Sequence, residues 1–179
     1  MVYINHEYKI IVIENPKSGS TTLLDALSKS LGVDISRKSR CNYIHLTSAD
    51  AKKDYLDYWD SYLKVTTYRE PFKRFCSSIL MRNHIAHFDI EHIETGSPIN
   101  FNKFIKHYQQ NKEMCCFCKS QEQFTNGVDH LIDVDNFQED FDKLCDKLCV
   151  PKIIVPHLNK NYKTAATSSQ LRAVFDFIS

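Results

Sequence analysis

The 179 residues carry 42% hydrophobic and 25% charged side chains and a formal charge of +1, the profile of a single globular domain (residues 1–179) with a substantial core. That balance excludes a general nucleic-acid coat, which needs a basic excess, and no apolar run approaches the roughly 18 residues of a membrane span. The N-terminal stretch lacks a basic region followed by an apolar core, so the chain reads as cytoplasmic.

In chain order, the first informative stretch is Ile10-Ile11-Val12-Ile13, a β-branched run patterned as a strand buried on both faces. Asn15-Pro16 ends it, because proline cannot donate to a ladder and holds the residue before it in an extended form. Lys17-Ser18-Gly19-Ser20-Thr21-Thr22 leads straight into an amphipathic segment with Leu23, Leu24, Leu27 and Leu31 on one face, and Gly32 is its expected C-cap. Strand, hydroxyl-rich loop and helix start together make an anion site: backbone N–H groups and the positive helix end face the ligand, and Lys17 adds a full charge.

Ser36-Arg37-Lys38-Ser39-Arg40 is a short basic run that reads as a solvated loop, with contact to an anionic ligand as the functional option. Cys41 to Leu46 reads as a short strand ending near His45, and Thr47 to Asp50 offers caps for a helix through Tyr58. Residues 62–68 form the next strand, and Pro71 starts a helix where its missing N–H costs nothing. This second unit again delivers a cation, Arg69, to a helix start, and side-by-side parallel strands would aim Lys17 and Arg69 at one crevice. Residues 83–99 read as a long loop and 100–110 as a helix. The remaining pattern is a strand at 130–134, a helix at 137–149, a short strand at 152–155 and a final helix at 168–178. Strands alternating with helices indicate an α/β fold, a three-layer sandwich around a mostly parallel central sheet.

Seven cysteines without a secretion signal read as reduced thiols, and Cys145 and Cys149 share a helix face suited to core packing. Cys115-Cys116-Phe117-Cys118 has no second ligand pair at a matching distance, so no metal is expected.

The first turn differs from a Walker A loop, G-x-x-x-x-G-K-[ST], because Lys17 precedes Gly19 and no leading glycine exists. Pro16-Lys17-Ser18-Gly19-Ser20-Thr21-Thr22 instead resembles the 5′-phosphosulfate loop of sulfotransferases. Arg69-Glu70-Pro71-Phe72-Lys73-Arg74-Phe75-Cys76-Ser77 resembles their 3′-phosphate segment, R-[DE]-P-x-x-R-x-x-S. The segment from Asp133 to Phe141 and the segment Pro156-His157-Leu158-Asn159-Lys160-Asn161 are similar to the carbohydrate, Golgi-type branch. Asp135 stands where that branch has Glu, and the chain stops before the branch's aromatic-rich tail.

The resemblance implies a P-loop-like nucleotide-binding fold and transfer of a sulfuryl group from 3′-phosphoadenosine 5′-phosphosulfate (PAPS), leaving 3′,5′-ADP. It implies a hydroxyl acceptor, of the glycan class in this branch, with no nucleic acid and no metal. A Golgi lumenal location would require that an N-terminal anchor had been removed. Lys17 would hold the 5′-phosphosulfate and stabilise charge growing on the bridging oxygen, with Ser18, Gly19, Ser20, Thr21 and Thr22 around the 5′-phosphate. Arg69 and Ser77 would hold the 3′-phosphate, and Arg74 either joins them or pairs with a carboxylate. His45 is the first choice of general base, ahead of His84, His87 and Glu14. A P-loop kinase or nucleotide hydrolase, and a non-catalytic nucleotide-binding relic of the same fold, are the competing functions.

Overall fold

In the computed structural model, which describes residues 1–35, 45–79 and 119–156 together with Arg172 and Asp176, the run Ile10–Ile13 forms a strand, β2, paired on both edges. Strand β1 (Val2–Asn5) runs antiparallel to it, with Val2 opposite Ile13. Strand β3 (Leu63–Tyr68) runs parallel to β2, and β4 (His130–Asp133) parallel to β3, giving the order β1-β2-β3-β4. The sheet is therefore mixed, three parallel strands with one antiparallel edge, in an α/β fold.

All four β2 side chains are fully buried, and strand alternation divides them between two apolar clusters. Ile10 and Val12 join Val65, Ile132, the leucines of helix α1 (Ser20–Leu31) and Phe141, Leu144 and Cys145 of a later helix. Ile11 and Ile13 join Val2, Ala51, Trp59 and Phe124. Burying a side chain such as Leu24 or Ile13 contributes about 1.5–3 kcal/mol each, so β2 is the line on which both clusters are built.

Helix α1 ends at Gly32 in the left-handed region, φ 65°, as its pattern predicts. Helix α2 (Ser48–Asp54) opens on a capping box: Thr47 Oγ1 accepts the Asp50 N–H at 3.2 Å, and Asp50 Oδ2 accepts the Thr47 N–H at 3.1 Å. The single helix expected through Tyr58 breaks at Tyr55, where φ −123° and ψ 35° leave helical space. It resumes as α3 (Leu56–Trp59), which buries Trp59 and leaves Leu56 and Tyr58 exposed.

Helix α4 (Pro71–Ile79) begins at Pro71 as expected. A short helix, α5 (Glu122–Thr125), precedes β4. A 3₁₀ turn (Val134–Asn136) leads into α6 (Phe137–Leu148). Cys145 is buried, and burial pushes its thiol up in pKa. Cys149 does not share that face, because it is the exposed left-handed cap of α6, φ 55°. The strand expected at 152–155 is absent. Gln138 takes its place as a pairing partner, with Nε2 donating to the Ile153 carbonyl at 2.9 Å and Oε1 accepting the Val155 N–H at 2.8 Å. That satisfies the main chain from a side chain, and Ile154 is left 91% exposed.

Two compact units divide the chain, residues 1–69 with 120–158 and residues 70–119 with 159–179. The sheet and both apolar clusters lie in the first, and α4 lies in the second. The features read at 36–44, 83–99, 100–110 and 115–118 lie outside the described residues, as does most of the final helix. There Arg172 and Asp176 are helical and ion-paired at 3.1 Å. Among the described residues, no helix is long and apolar enough to cross a membrane.

His130 ties β4 to α6: its Nε2–H donates to the Asp140 carbonyl at 2.9 Å. Burial lowers its pKa below 6.5, against a raising contribution from the Asp140 carbonyl bond and with Lys147 reinforcing the fall. The unfolded chain therefore binds the proton more tightly, so this contribution to stability is complete above pH 6.5 and is lost as pH falls below 6.5 through the lower folded value. Melting temperature should drop on acidification below about pH 6.5, and His130→Gln, which keeps a donor for Asp140 but cannot ionise, should flatten that drop.

Candidate active site

Because β2 and β3 are parallel neighbours in register, with Ile13 opposite Thr66, the turns that follow them leave the same end of the sheet side by side. In the first turn Lys17 has φ 63° and Gly19 φ 84°, both left-handed. Gly19 is the N-cap of α1 without a side-chain cap, and the first turn of the helix carries no acidic residue. The positive end of a 12-residue helix thus meets the loop with no side-chain cap and no acidic residue in its own first turn. Thr21 is exposed, whereas Ser20 and Thr22 are buried at 7% and 8% exposure.

The Ser18 hydroxyl points into the fold. It donates to the Asn15 carbonyl at 2.7 Å and bonds the Thr67 hydroxyl at 2.8 Å, so Ser18 can serve an anion through its main chain alone. Gly19 is closely backed: a Cβ there would sit 3.1 Å from Val134 Cγ2 and 3.4 Å from Phe137 Cε2. The segment from Asp133 to Phe137 is therefore the floor of the loop. Asp133 accepts the Asp135 N–H at 3.0 Å, and Asp140 accepts the Asp133 N–H at 3.1 Å, which fixes that floor.

The second turn is joined to the first. Arg69 Nη1 donates to the Lys17 carbonyl at 3.4 Å, and Thr66 Oγ1 donates to the Ile13 carbonyl at 2.6 Å. Gln121 brackets the Arg69 main chain, accepting its N–H at 3.1 Å and donating to its carbonyl at 2.7 Å. Asn15, fully buried, donates from Nδ2 to the Thr67 carbonyl at 2.9 Å and to Gln121 Oε1 at 3.2 Å. Its Oδ1 has no hydrogen-bond partner among the described residues.

His45 is not on a strand; residues 45–47 have no regular structure, and residues 41–44 lie outside the described set. It still reaches the first turn, with Nδ1 3.2 Å from the Glu14 carbonyl. A carbonyl only accepts, so Nδ1 carries the proton and Nε2 is the basic nitrogen of the neutral ring. Glu14 itself is 2% exposed.

Lys17, Ser18, Gly19, Ser20, Thr21, Thr22, His45 and Arg69 all belong to the first unit, whereas Ser77 belongs to the second. Within that second unit Glu70 caps α4, accepting the Phe72 and Lys73 N–H groups at 3.1 and 2.7 Å. Arg74 is buried, and its Nη1 donates to the Lys119 carbonyl at 3.0 Å. Ser77 is buried on the same helix.

Asn15, Thr67 and Gln121 were not singled out from the sequence, since nothing local marks an amide whose partners lie 52 or 106 residues away. A surface groove of about 620 Å³ is lined by Thr47, Ser48, Ala49, Glu122, Gln123, Thr125 and Asn126, with the Thr47 hydroxyl held in the α2 capping box and the Ser48 hydroxyl donating to the Gln123 carbonyl at 3.1 Å. Among the described residues no cluster of three His, Cys, Asp or Glu side chains could hold a metal ion.

Gly19→Ala combines a left-handed backbone with the Val134 and Phe137 contacts, whereas Gly32→Ala meets a left-handed backbone and nothing within 4 Å. Denaturant unfolding should show a loss of about 1 kcal/mol for Gly32→Ala and about 2–4 kcal/mol for Gly19→Ala.

A family model described as the sulfotransferase family matches residues 1–176, and so spans both units. No curated protein and no solved structure matches the chain. A match of that extent, over a chain whose sheet sets Lys17 and Arg69 in adjacent turns, establishes the family: this protein belongs to the sulfotransferases, transferases that move sulfuryl groups.

Proposed function

We propose that the protein transfers a sulfuryl group from PAPS to a hydroxyl of a carbohydrate acceptor, and that its two units form one sulfotransferase domain with a three-layer, P-loop-like fold. The observation that carries the reading is the hydrogen bond from the Arg69 guanidinium to the Lys17 carbonyl, which joins two cation-bearing turns at the end of a parallel strand pair. The residues fit a donor that is anionic at both ends: a helix start whose first turn carries no acid, with Lys17, on one side, and an arginine fork on the other.

PAPS supplies a sulfuryl group on a phosphate leaving group. Lys17, with the main-chain N–H groups from Ser18 to Thr22 and the hydroxyls of Ser20, Thr21 and Thr22, holds the 5′-phosphosulfate. Lys17 also stabilises negative charge on the bridging oxygen. Arg69 holds the 3′-phosphate; Ser77, eight residues on in the same motif, is assigned to that phosphate by the resemblance alone. His45 takes the acceptor proton at Nε2, the nitrogen that its bond to the Glu14 carbonyl leaves basic. The branch assignment is supported by the segments from Asp133 to Phe141 and from Pro156 to Asn161.

Calorimetry with 3′,5′-ADP in excess EDTA should show undiminished binding; a strict magnesium requirement would overturn the donor assignment. Lys17→Ala should lower kcat by about 10²–10³-fold. Lys17→Gly, which relaxes the φ of 63°, should be equally inactive while at least as stable, separating the charge from the loop's backbone. His45→Ala should remove the acidic limb of the kcat/KM profile, and a variant that keeps both limb and rate would exclude it as the base.

A further inference from the structure

We propose that Gln121 is a positioning residue that sets the span between the two phosphate-holding turns, and so controls how well a nucleotide with a 3′-phosphate is told apart from one without; the inference rests on the PAPS reading above. The side chain is 8% exposed and spends both ends of its amide on one neighbour's main chain, Oε1 on the Arg69 N–H at 3.1 Å and Nε2 on the Arg69 carbonyl at 2.7 Å. An N–H needs an acceptor and a carbonyl needs a donor, so the orientation of the amide is fixed by its partners. The same Oε1 accepts the Asn15 amide at 3.2 Å.

Asn15 stands two residues before Lys17, and its other bond goes to the Thr67 carbonyl, two residues before Arg69. Gln121 therefore braces the Arg69 backbone against the stem of the Lys17 loop, and the Arg69 guanidinium closes the circuit at the Lys17 carbonyl. Two main-chain bonds fix the origin of a long, otherwise adjustable side chain. An error of about 1 Å in such a group is enough to weaken a bidentate contact severely. Gln121 makes no contact with the ligand in this scheme; it acts through Arg69.

Binding of 3′,5′-ADP and of 5′-AMP to the full chain reads this directly. Gln121→Met, which keeps length and volume without the hydrogen bonds, should lose about tenfold in affinity for 3′,5′-ADP and less than about twofold for 5′-AMP. It should add nothing further on an Arg69→Ala background, the signature of action through that residue. Gln121→Glu keeps the acceptor and loses the donor, so it should show the same selective loss if the methionine variant does not fold. Equal loss for both nucleotides, or full additivity with Arg69→Ala, would reduce Gln121 to a structural residue and overturn the inference. A wild-type chain that prefers 3′,5′-ADP, with variants that prefer it equally, overturns the inference alone. A wild type with no such preference overturns the PAPS reading, and this inference falls with it.

Discussion

Two parallel strands buried on both faces must end side by side, and their main chains must then leave the ladder inside the protein. At that point every N–H and C=O loses its sheet partner and has no water to replace it. The ends of β2 and β3 meet this constraint with side chains: Thr66 serves the Ile13 carbonyl, Ser18 the Asn15 carbonyl, Asn15 the Thr67 carbonyl, and Gln121 both groups of Arg69. The polar layer under the two turns follows from the sheet above it. The same layer holds the loop between Asn15 and α1 from beneath, through the Asn15 amide and the Ser18 hydroxyl.

The energetics of such a layer are asymmetric. Each hydrogen bond adds only about 1 kcal/mol net, but removing one partner strands a buried group at a cost of about 1–3 kcal/mol. Thr67, Asn15 and Gln121 share acceptors and donors, so a change at one is felt at the others.

The elements that could be read from the sequence are those whose signals are local. Ile10–Ile13 advertises burial by composition, Pro16 by its missing donor, and α1 by the spacing of its leucines. That the two cation-bearing turns stand at strand–helix junctions was legible for the same reason. A β-branched run at 152–155 carries the same signal as Ile10–Ile13, yet it forms no strand, because Gln138 satisfies its main chain from the side. Strand β1 was not anticipated, since Val2–Asn5 is short and gains its meaning only by pairing with β2. His45 was expected at the end of a strand between the two motifs; it has no regular structure, and its actual tie, to a main-chain carbonyl 31 residues earlier, is not a pattern that a sequence displays. Gln121 is the extreme case, a common residue whose importance lies wholly in partners distant along the chain.

The close approach of Gly19 to Val134 and Phe137 has a consequence for how this loop can be moved between proteins. Half of its shape is written in residues 16–22, and the other half lies more than a hundred positions later, where β4 turns into α6. The loop is therefore not a portable cassette. Grafted onto another strand–helix junction without its floor, the same heptapeptide would keep its charges and lose the curvature that aims them.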